Sequence, residues 1–139
     1  MNYKKMCVFT TLIGGYEMLN EQPVAQKSNL EFFCFTDDPK LKSETWNIVN
    51  VDPILPFDNF RSAKAIKICA HRYLTDFEYS LYIDNSVLLK TTPELIYNDF
   101  SSDKFDMCCI HHSYRTTVLN EYEKVLSSAY DKSNIIMEQ

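Results

Sequence analysis

Polar side chains that could bind a nucleotide or a metal ion follow four apolar segments of the sequence. Asp84 ends one of these segments, and a carboxylate there could hold Mg²⁺, Mn²⁺ or a ribose hydroxyl. An Asp-Asn pair is also ordinary turn chemistry, so a plain turn is the alternative. The four clusters are Thr10-Thr11 with Gly14-Gly15-Tyr16, Thr36-Asp37-Asp38, Asp84-Asn85-Ser86, and His111-His112 with Arg115.

A predicted helix over residues 59–74 carries a basic face opposite its apolar side. Arg61 and Lys67 lie on that face at helical spacing. Arginine offers phosphate oxygens two parallel donors and lysine offers a point charge, so the face could bind an anion. The alternative is a solvated basic face without a ligand.

The chain has only two glycines, Gly14 and Gly15, and both follow the first predicted strand. They permit either the close approach of a ligand to the backbone or a turn with positive φ. Neither GxGxxG nor GxxxxGK[ST] occurs, so a dinucleotide fingerprint and a P-loop are both unsupported. His111 and His112 follow a predicted strand. Neighbouring side chains of an extended segment diverge, so we do not expect the two histidines to bind one metal ion together.

Alternating strands and helices must position these residues, which predicts an α/β three-layer sandwich with a mostly parallel central sheet. Ligands of such sheets bind at the carboxyl ends of the strands, so the polar clusters should gather on one rim. The predicted strands cover residues 6–13, 30–36, 47–51, 79–83 and 105–110. The predicted helices cover residues 59–74, 93–100 and 117–130, and Asp58 is the expected N-cap of the first.

The composition is that of a globular protein, and a length of 139 residues predicts a single domain over residues 1–139. A hydrophobic content of 45% argues against disorder, and a net charge of −5 argues against a general nucleic-acid-binding protein. No long apolar run occurs, so we expect neither a signal peptide nor a membrane span. The five cysteines lie in apolar segments without metal-type spacing, which predicts buried thiols and a reducing, cytoplasmic location.

Several motifs, in order, resemble one glycosyltransferase-like family that was once called a domain of unknown function. That family includes plant seed-mucilage glycosyltransferases and a plant protein described as an alkaline ceramidase. The segment KICAHRYL at residues 67–74, followed by YSLYIDNS at residues 79–86, resembles its pattern PK-x-x-x-HRLF … YSIW-x-DG. Similar matches are VFTTLIGGYEML at residues 8–19, FTDD at residues 35–38, and IHHSYR at residues 110–115 with Glu121.

The resemblance implies a GT-A-like fold that binds a nucleoside diphosphate sugar and transfers the sugar to a hydroxyl acceptor. Asp84 would open a DxD-like element that serves catalysis and binds Mn²⁺ or Mg²⁺, with Ser86 at its third position. His112 would be the candidate catalytic base. The implied nucleotide-binding residues are Thr10, Gly15 and Tyr16 near the nucleoside, Asp37 near the base or ribose, Arg61 and Lys67 at the diphosphate, and Arg115.

The family pattern continues past the position of Gln139. We therefore expect the chain to correspond to the donor-binding N-terminal part of the family domain, shortened at its C-terminus. The expected partners are a UDP- or GDP-sugar and a glycan or other hydroxyl acceptor, without nucleic acid; homo-oligomerisation is left open. A second hypothesis is a truncated, non-catalytic nucleotide-sugar-binding or interaction domain, which Ser86 favours. A third, a hydrolase, needs a metal or nucleophile constellation that the sequence does not show.

Overall fold

The structure is a computed structural model, and it describes residues 5–100, 106–110 and 113–128. The chain divides into two compact units, Met1–Ser101 and Ser102–Gln139. The described part of the first unit contains a four-stranded sheet and two helices, and that of the second contains one helix. A single domain over residues 1–139 stays a prediction.

The four strands of the first unit are all parallel, in the order β3-β2-β1-β4. Each strand agrees with its sequence prediction to within one residue at either end, and the expected parallel α/β sheet is confirmed. Val8 of the central strand is level with Phe32 on one side and Leu81 on the other. The strands are β1, Met6–Leu12; β2, Glu31–Thr36; β3, Asn47–Asn50; and β4, Tyr79–Tyr82.

Both faces of the sheet are covered, which explains why six of the seven residues of β1 are buried. Cys7 and Phe9 pack on one face with helix α1, which spans Asn59–Ile68. Val8 and Leu12 pack on the other face with Trp46 and with partly buried residues of a short 3₁₀ turn, Pro23–Lys27. The sheet therefore lies between two layers that bury its central strand.

Helix α1 begins as predicted, because the Asp58 side chain accepts a hydrogen bond of 2.9 Å from the Arg61 backbone N–H. It ends at Ile68, six residues before the predicted end. Cys69 leaves the helical conformation at ψ 31°, and a 3₁₀ turn over Ala70–Arg72 follows. The apolar stripe nevertheless continues through Leu74, whose N–H still bonds to the Ala70 carbonyl at 2.9 Å.

Two more helices confirm their predictions. Helix α2 spans Pro93–Phe100, and the Tyr97 hydroxyl donates a hydrogen bond of 2.7 Å to the Cys7 carbonyl of β1. Helix α3 spans Val118–Ser128 in the second unit. None of the described helices combines the length and the apolar character that a membrane crossing needs.

The predicted strand over residues 105–110 is wrong over its described residues, 106–110. They form no strand, and all of them are exposed. An apolar run forms a strand only where another strand pairs with it, and periodicity does not show whether one does. Cys108 and Cys109 are exposed as well, so the expectation of a buried thiol is wrong for both. The expectation is confirmed for Cys7 and Cys34, which are buried. Burial raises the pKa of both thiols to about 12.

Candidate functional site

The order of the strands creates a crevice at the carboxyl ends of β1 and β4. From β1 the chain adds β2 and β3 on one side, and it then returns through α1 to add β4 on the other side. Ligands of open parallel sheets bind at such a topological switch point. Gly14, Gly15 and Tyr16 follow β1, and Asp84 follows β4, so the structure places these predicted residues on the same rim.

The loop after β1 is attached to its neighbours through Gly14. The Gly14 N–H donates a hydrogen bond of 2.9 Å to Asp37, which follows β2. Gly14 has φ +89°, and a Cβ on it would lie 2.2 Å from Nδ2 of Asn59 at the start of α1. Gly15 has φ +59°, with open space where its Cβ would be. The close approach of α1 therefore requires a glycine at position 14. Gly15 leaves its backbone accessible at the rim.

Asp84 forms a compact cluster with Lys67 and Tyr82, which we call the rim cluster. The Tyr82 hydroxyl donates a hydrogen bond of 2.8 Å to Asp84 Oδ1. Lys67 Nζ lies 3.8 Å from the same oxygen and 4.1 Å from the centre of the Tyr82 ring. The cluster thus places an ammonium, a carboxylate and a phenol beside the switch point, and sequence reasoning missed the phenol.

The electrostatic environment keeps two phenols of the rim protonated. Burial raises the pKa of Tyr82, and the hydrogen bond to Asp84 raises it further, although a hydrogen bond with Thr11 opposes the shift. Partial burial also raises the pKa of Tyr16, with additional effects from Glu17 and from the charge of Asp84. Both hydroxyls are therefore protonated at neutral pH, and that of Tyr82 donates its hydrogen to Asp84.

Asn85 couples the loop after β1 to the turn after β4. It is 5% exposed, its Oδ1 accepts a hydrogen bond of 2.7 Å from the Asn20 N–H, and its Nδ2 donates one of 2.8 Å to the Met18 carbonyl. The Asn20 side chain returns a bond of 2.9 Å to the Asn85 carbonyl. Sequence reasoning treated Asn85 as turn chemistry, whereas the structure shows a buried clamp that positions both loops.

Gln22 makes a second buried connection. It is fully buried, its Nε2 donates to the Val87 carbonyl at 2.7 Å, and its Oε1 accepts from the Leu89 N–H at 3.1 Å. One side chain therefore forms hydrogen bonds with both a carbonyl and an N–H of the same backbone segment, as a neighbouring strand would. A glutamine within the polar run NEQP gives no sequence signal of this role.

A shallow groove of about 350 Å³ lies at the ends of β1 and β2. Its floor is apolar, with Leu12, Leu19 and Leu41. Its edge offers the backbone of Gly15 and three charged side chains, those of Glu17, Asp38 and Lys42. This volume is at the lower end of the range for small-ligand sites. The Asn85 clamp holds one wall, because Met18 and Leu19 lie in the segment that it ties down.

Three other predicted nucleotide-binding residues have surroundings of their own. Thr10 is fully buried inside β1, and its hydroxyl has no hydrogen-bond partner within the described ranges. Arg61 forms an ion pair with Asp58, which also caps α1. Arg115 belongs to the second unit and forms an ion pair with Glu121. The nucleotide contacts expected of these residues stay predictions.

Asp84 and Ser86, the predicted metal ligands, offer few donor atoms. Asp84 supplies one carboxylate whose Oδ1 already accepts the Tyr82 hydrogen bond and faces the Lys67 ammonium, and Ser86 is exposed. No group of three His, Cys, Asp or Glu residues suited to a metal ion occurs within the described ranges. In nucleotide sites Mg²⁺ is usually held by one or two carboxylates together with the substrate phosphates, so a cation on Asp84 stays a prediction. His112, the predicted base, lies outside the described residues.

Comparison with known proteins identifies the family. A family model, described as the TOD1/MUCI70, glycosyltransferase-like domain, matches residues 16–139. Comparisons with curated proteins and with solved structures found no match. The matched span includes Tyr16, Asp37, Lys67 and Asp84. It covers most of the sequence and confirms the resemblance, so the chain belongs to the TOD1/MUCI70 glycosyltransferase-like domain family.

Proposed function

We propose that this chain binds a nucleoside diphosphate sugar at the rim and transfers the sugar to a hydroxyl acceptor. The rim cluster is the observation that carries the proposal, because it joins a lysine to a carboxylate at the switch point of a parallel sheet. Membership of a glycosyltransferase-like family supports the same reaction class.

The groove suits the nucleoside part of the donor. Its apolar floor, which includes Leu12 and Leu41, offers a surface for a base, and the Asp38 carboxylate can accept hydrogen bonds from ribose hydroxyls. Gly15 lines the groove in the loop after β1, with no Cβ to obstruct the backbone. A donor would then extend from the groove towards Lys67.

The chemistry requires stabilisation of the leaving group. An acceptor oxygen forms a bond to the anomeric carbon, the bond from that carbon to the diphosphate oxygen breaks, and the acceptor proton passes to a base. Negative charge develops on the diphosphate, so a fixed cation near it lowers the barrier. Lys67 is the proposed cation, and His112 remains the candidate base.

Thermal unfolding with nucleotides tests the donor site. A ligand that binds only the folded state stabilises it by about 2.7 kcal/mol at a hundredfold excess over Kd. For a chain of this size we expect UDP- or GDP-sugars to raise Tm by about 5 °C or more. Uridine, which lacks the diphosphate, is the control, and it should give a clearly smaller shift.

The absence of any shift with UDP-sugars and GDP-sugars at millimolar concentration would contradict the donor site. If a donor does bind, release of free UDP or GDP over time separates a catalytic domain from the second hypothesis, a non-catalytic nucleotide-sugar-binding domain. Release that depends on an added hydroxyl acceptor identifies transfer, and release without one identifies donor hydrolysis.

A further inference from the structure

We propose that the donor diphosphate is held by the ammonium of Lys67, which Asp84 and Tyr82 fix in place, and that it binds without a divalent cation on Asp84. This inference rests on the proposed function and specifies the charge chemistry of its site. It assigns Asp84 a positioning role towards Lys67, in place of the metal-binding role that the family resemblance implied.

The surroundings of Asp84 favour an ammonium over a metal ion. Its Oδ1 already accepts the Tyr82 hydroxyl at 2.8 Å and lies 3.8 Å from Lys67 Nζ. A divalent cation on that oxygen would compete with the phenol donor and lie close to a like charge. Ser86 adds only a neutral hydroxyl where the family element implies a carboxylate.

Lys67 is preorganised for an anion yet open to solvent. The face of the Tyr82 ring contacts its ammonium from one side, at 4.1 Å, and the Asp84 carboxylate contacts it from another. Its side chain is 45% exposed, so part of the ammonium remains free to donate to phosphate oxygens. Because the lysine is already placed, a ligand loses less entropy in ordering it.

Lys64 provides a matched control on the same helix. Its Nζ also lies 4.1 Å from the centre of an aromatic ring, that of Phe60. Phe60 is exposed in the first turn of α1, whereas Tyr82 lies in β4 and packs against Phe9. Two lysines thus have the same contact with an aromatic ring, and only one belongs to the rim cluster.

The test measures UDP affinity of the full chain by calorimetry in excess EDTA and in about 1 mM Mn²⁺, a modest concentration for a weakly held cation. We expect the two affinities to agree within about threefold, well under the tenfold that 1.4 kcal/mol represents. Lys67→Met should weaken UDP binding in EDTA by about tenfold or more, since it removes charge-assisted hydrogen bonds. Lys67→Arg should recover part of the loss, and Lys64→Met should bind like the wild type.

Each outcome separates the two proposals. If UDP binds only with Mn²⁺, the cation-free site is overturned while the donor site stands. If UDP binds in EDTA but Lys67→Met binds equally well, the assignment to Lys67 is overturned. If neither UDP nor, in the same assay, GDP binds in either buffer, the proposed function fails, and this inference fails with it. Unfolding curves of the free variants establish that each one is folded before its affinity is compared.

Discussion

Tyr82 contacts both charged members of the rim cluster, one with its ring and the other with its hydroxyl. Its ring also packs edge-on against Phe9 in the core, at 5.2 Å between centroids. In the sequence it is one aromatic residue in a short apolar strand, where burial alone would account for it. Only the pairing of β4 with β1 and the return of α1 across them bring Lys67 over its ring.

A substitution at Gly14 tests how closely the loop after β1 packs against helix α1. Gly14→Ala should destabilise the fold by about 3 kcal/mol or more, because a positive φ costs an L-residue about 1–2 kcal/mol and overpacking adds a similar amount. The physical cause is the new Cβ, which would lie 2.2 Å from Asn59 Nδ2 at the start of α1. Chemical denaturation of the variant and the wild type measures the difference.

Gly15→Ala is the matched control for that measurement. It also places alanine at a positive φ, +59°, but nothing lies within 4 Å of the added Cβ. We therefore expect a loss of about 1 kcal/mol, which is the backbone contribution alone. Equal losses at the two positions would show that the contact between the glycine loop and α1 is not tight.

The sequence predicts those strands and helices whose residues carry a clear local pattern. β1, β2, β3 and β4 follow apolar runs bounded by turn residues, and α1 begins at a residue type suited to capping. The end of α1 is less predictable, because the apolar stripe continues through the 3₁₀ turn that replaces the helix after Ile68. The hydrophobic pattern records which residues are buried, and it does not record the type of helical turn.

The candidate site is predicted where it depends on strand ends and missed where it depends on long-range polar contacts. Asp84, Lys67, Gly15 and Tyr16 all lie at or beside the rim that the parallel-sheet rule indicates. The clamp formed by Asn85 reaches Met18 and Asn20, more than 60 positions away in the chain. No local pattern encodes a contact of that kind, so only the folded chain shows it.

The Asn85 clamp should matter for both stability and binding. Asn85→Ala removes an acceptor and a donor from two backbone groups in the β1 loop, and we expect a loss of about 2 kcal/mol in unfolding free energy. Since that loop lines the groove, UDP affinity should also fall. Denaturation and calorimetry on the same variant measure the two effects.

The matched control for the clamp is Asn98→Ala, which changes an exposed asparagine of α2. It should leave both the unfolding free energy and the nucleotide affinity nearly unchanged, because an exposed helical position tolerates alanine. A normal UDP affinity in a destabilised Asn85→Ala variant would show that the clamp supports the fold without shaping the groove.

At the scale of the whole molecule, the charge of the chain opposes the ligand that we propose. A net charge of −5 repels a nucleoside diphosphate at long range, so binding depends on cations placed locally. Lys67 and Lys42 lie at the rim cluster and at the groove, respectively, within the first unit. The family match extends through both units, from residue 16 to residue 139.

Glu94 joins distant parts of the first unit through its carboxylate and gives the fold an acid-sensitive contact. Its Oε1 accepts hydrogen bonds from the Ser28 hydroxyl at 2.8 Å and from the Asn29 N–H at 2.7 Å, so it ties the start of α2 to the segment before β2. Partial burial raises the pKa of Glu94. Hydrogen bonds from its own backbone N–H, Ser28, Asn29 and Thr92 outweigh that effect and lower the pKa below its ordinary value of 4.5.

This lowered pKa predicts how stability varies with pH. A carboxyl group with a lower pKa in the folded state contributes stability above its unfolded pKa and loses it as pH falls through the folded pKa. Glu94→Gln should therefore be less stable than the wild type by about 1 kcal/mol at pH 7, with the gap closing below about pH 4. Urea denaturation at several pH values measures the gap. Ser28→Ala removes one hydrogen-bond donor to Glu94 and should reproduce part of the stability difference. A difference that stays constant from pH 7 to pH 3 would show that the Glu94 charge does not support the fold.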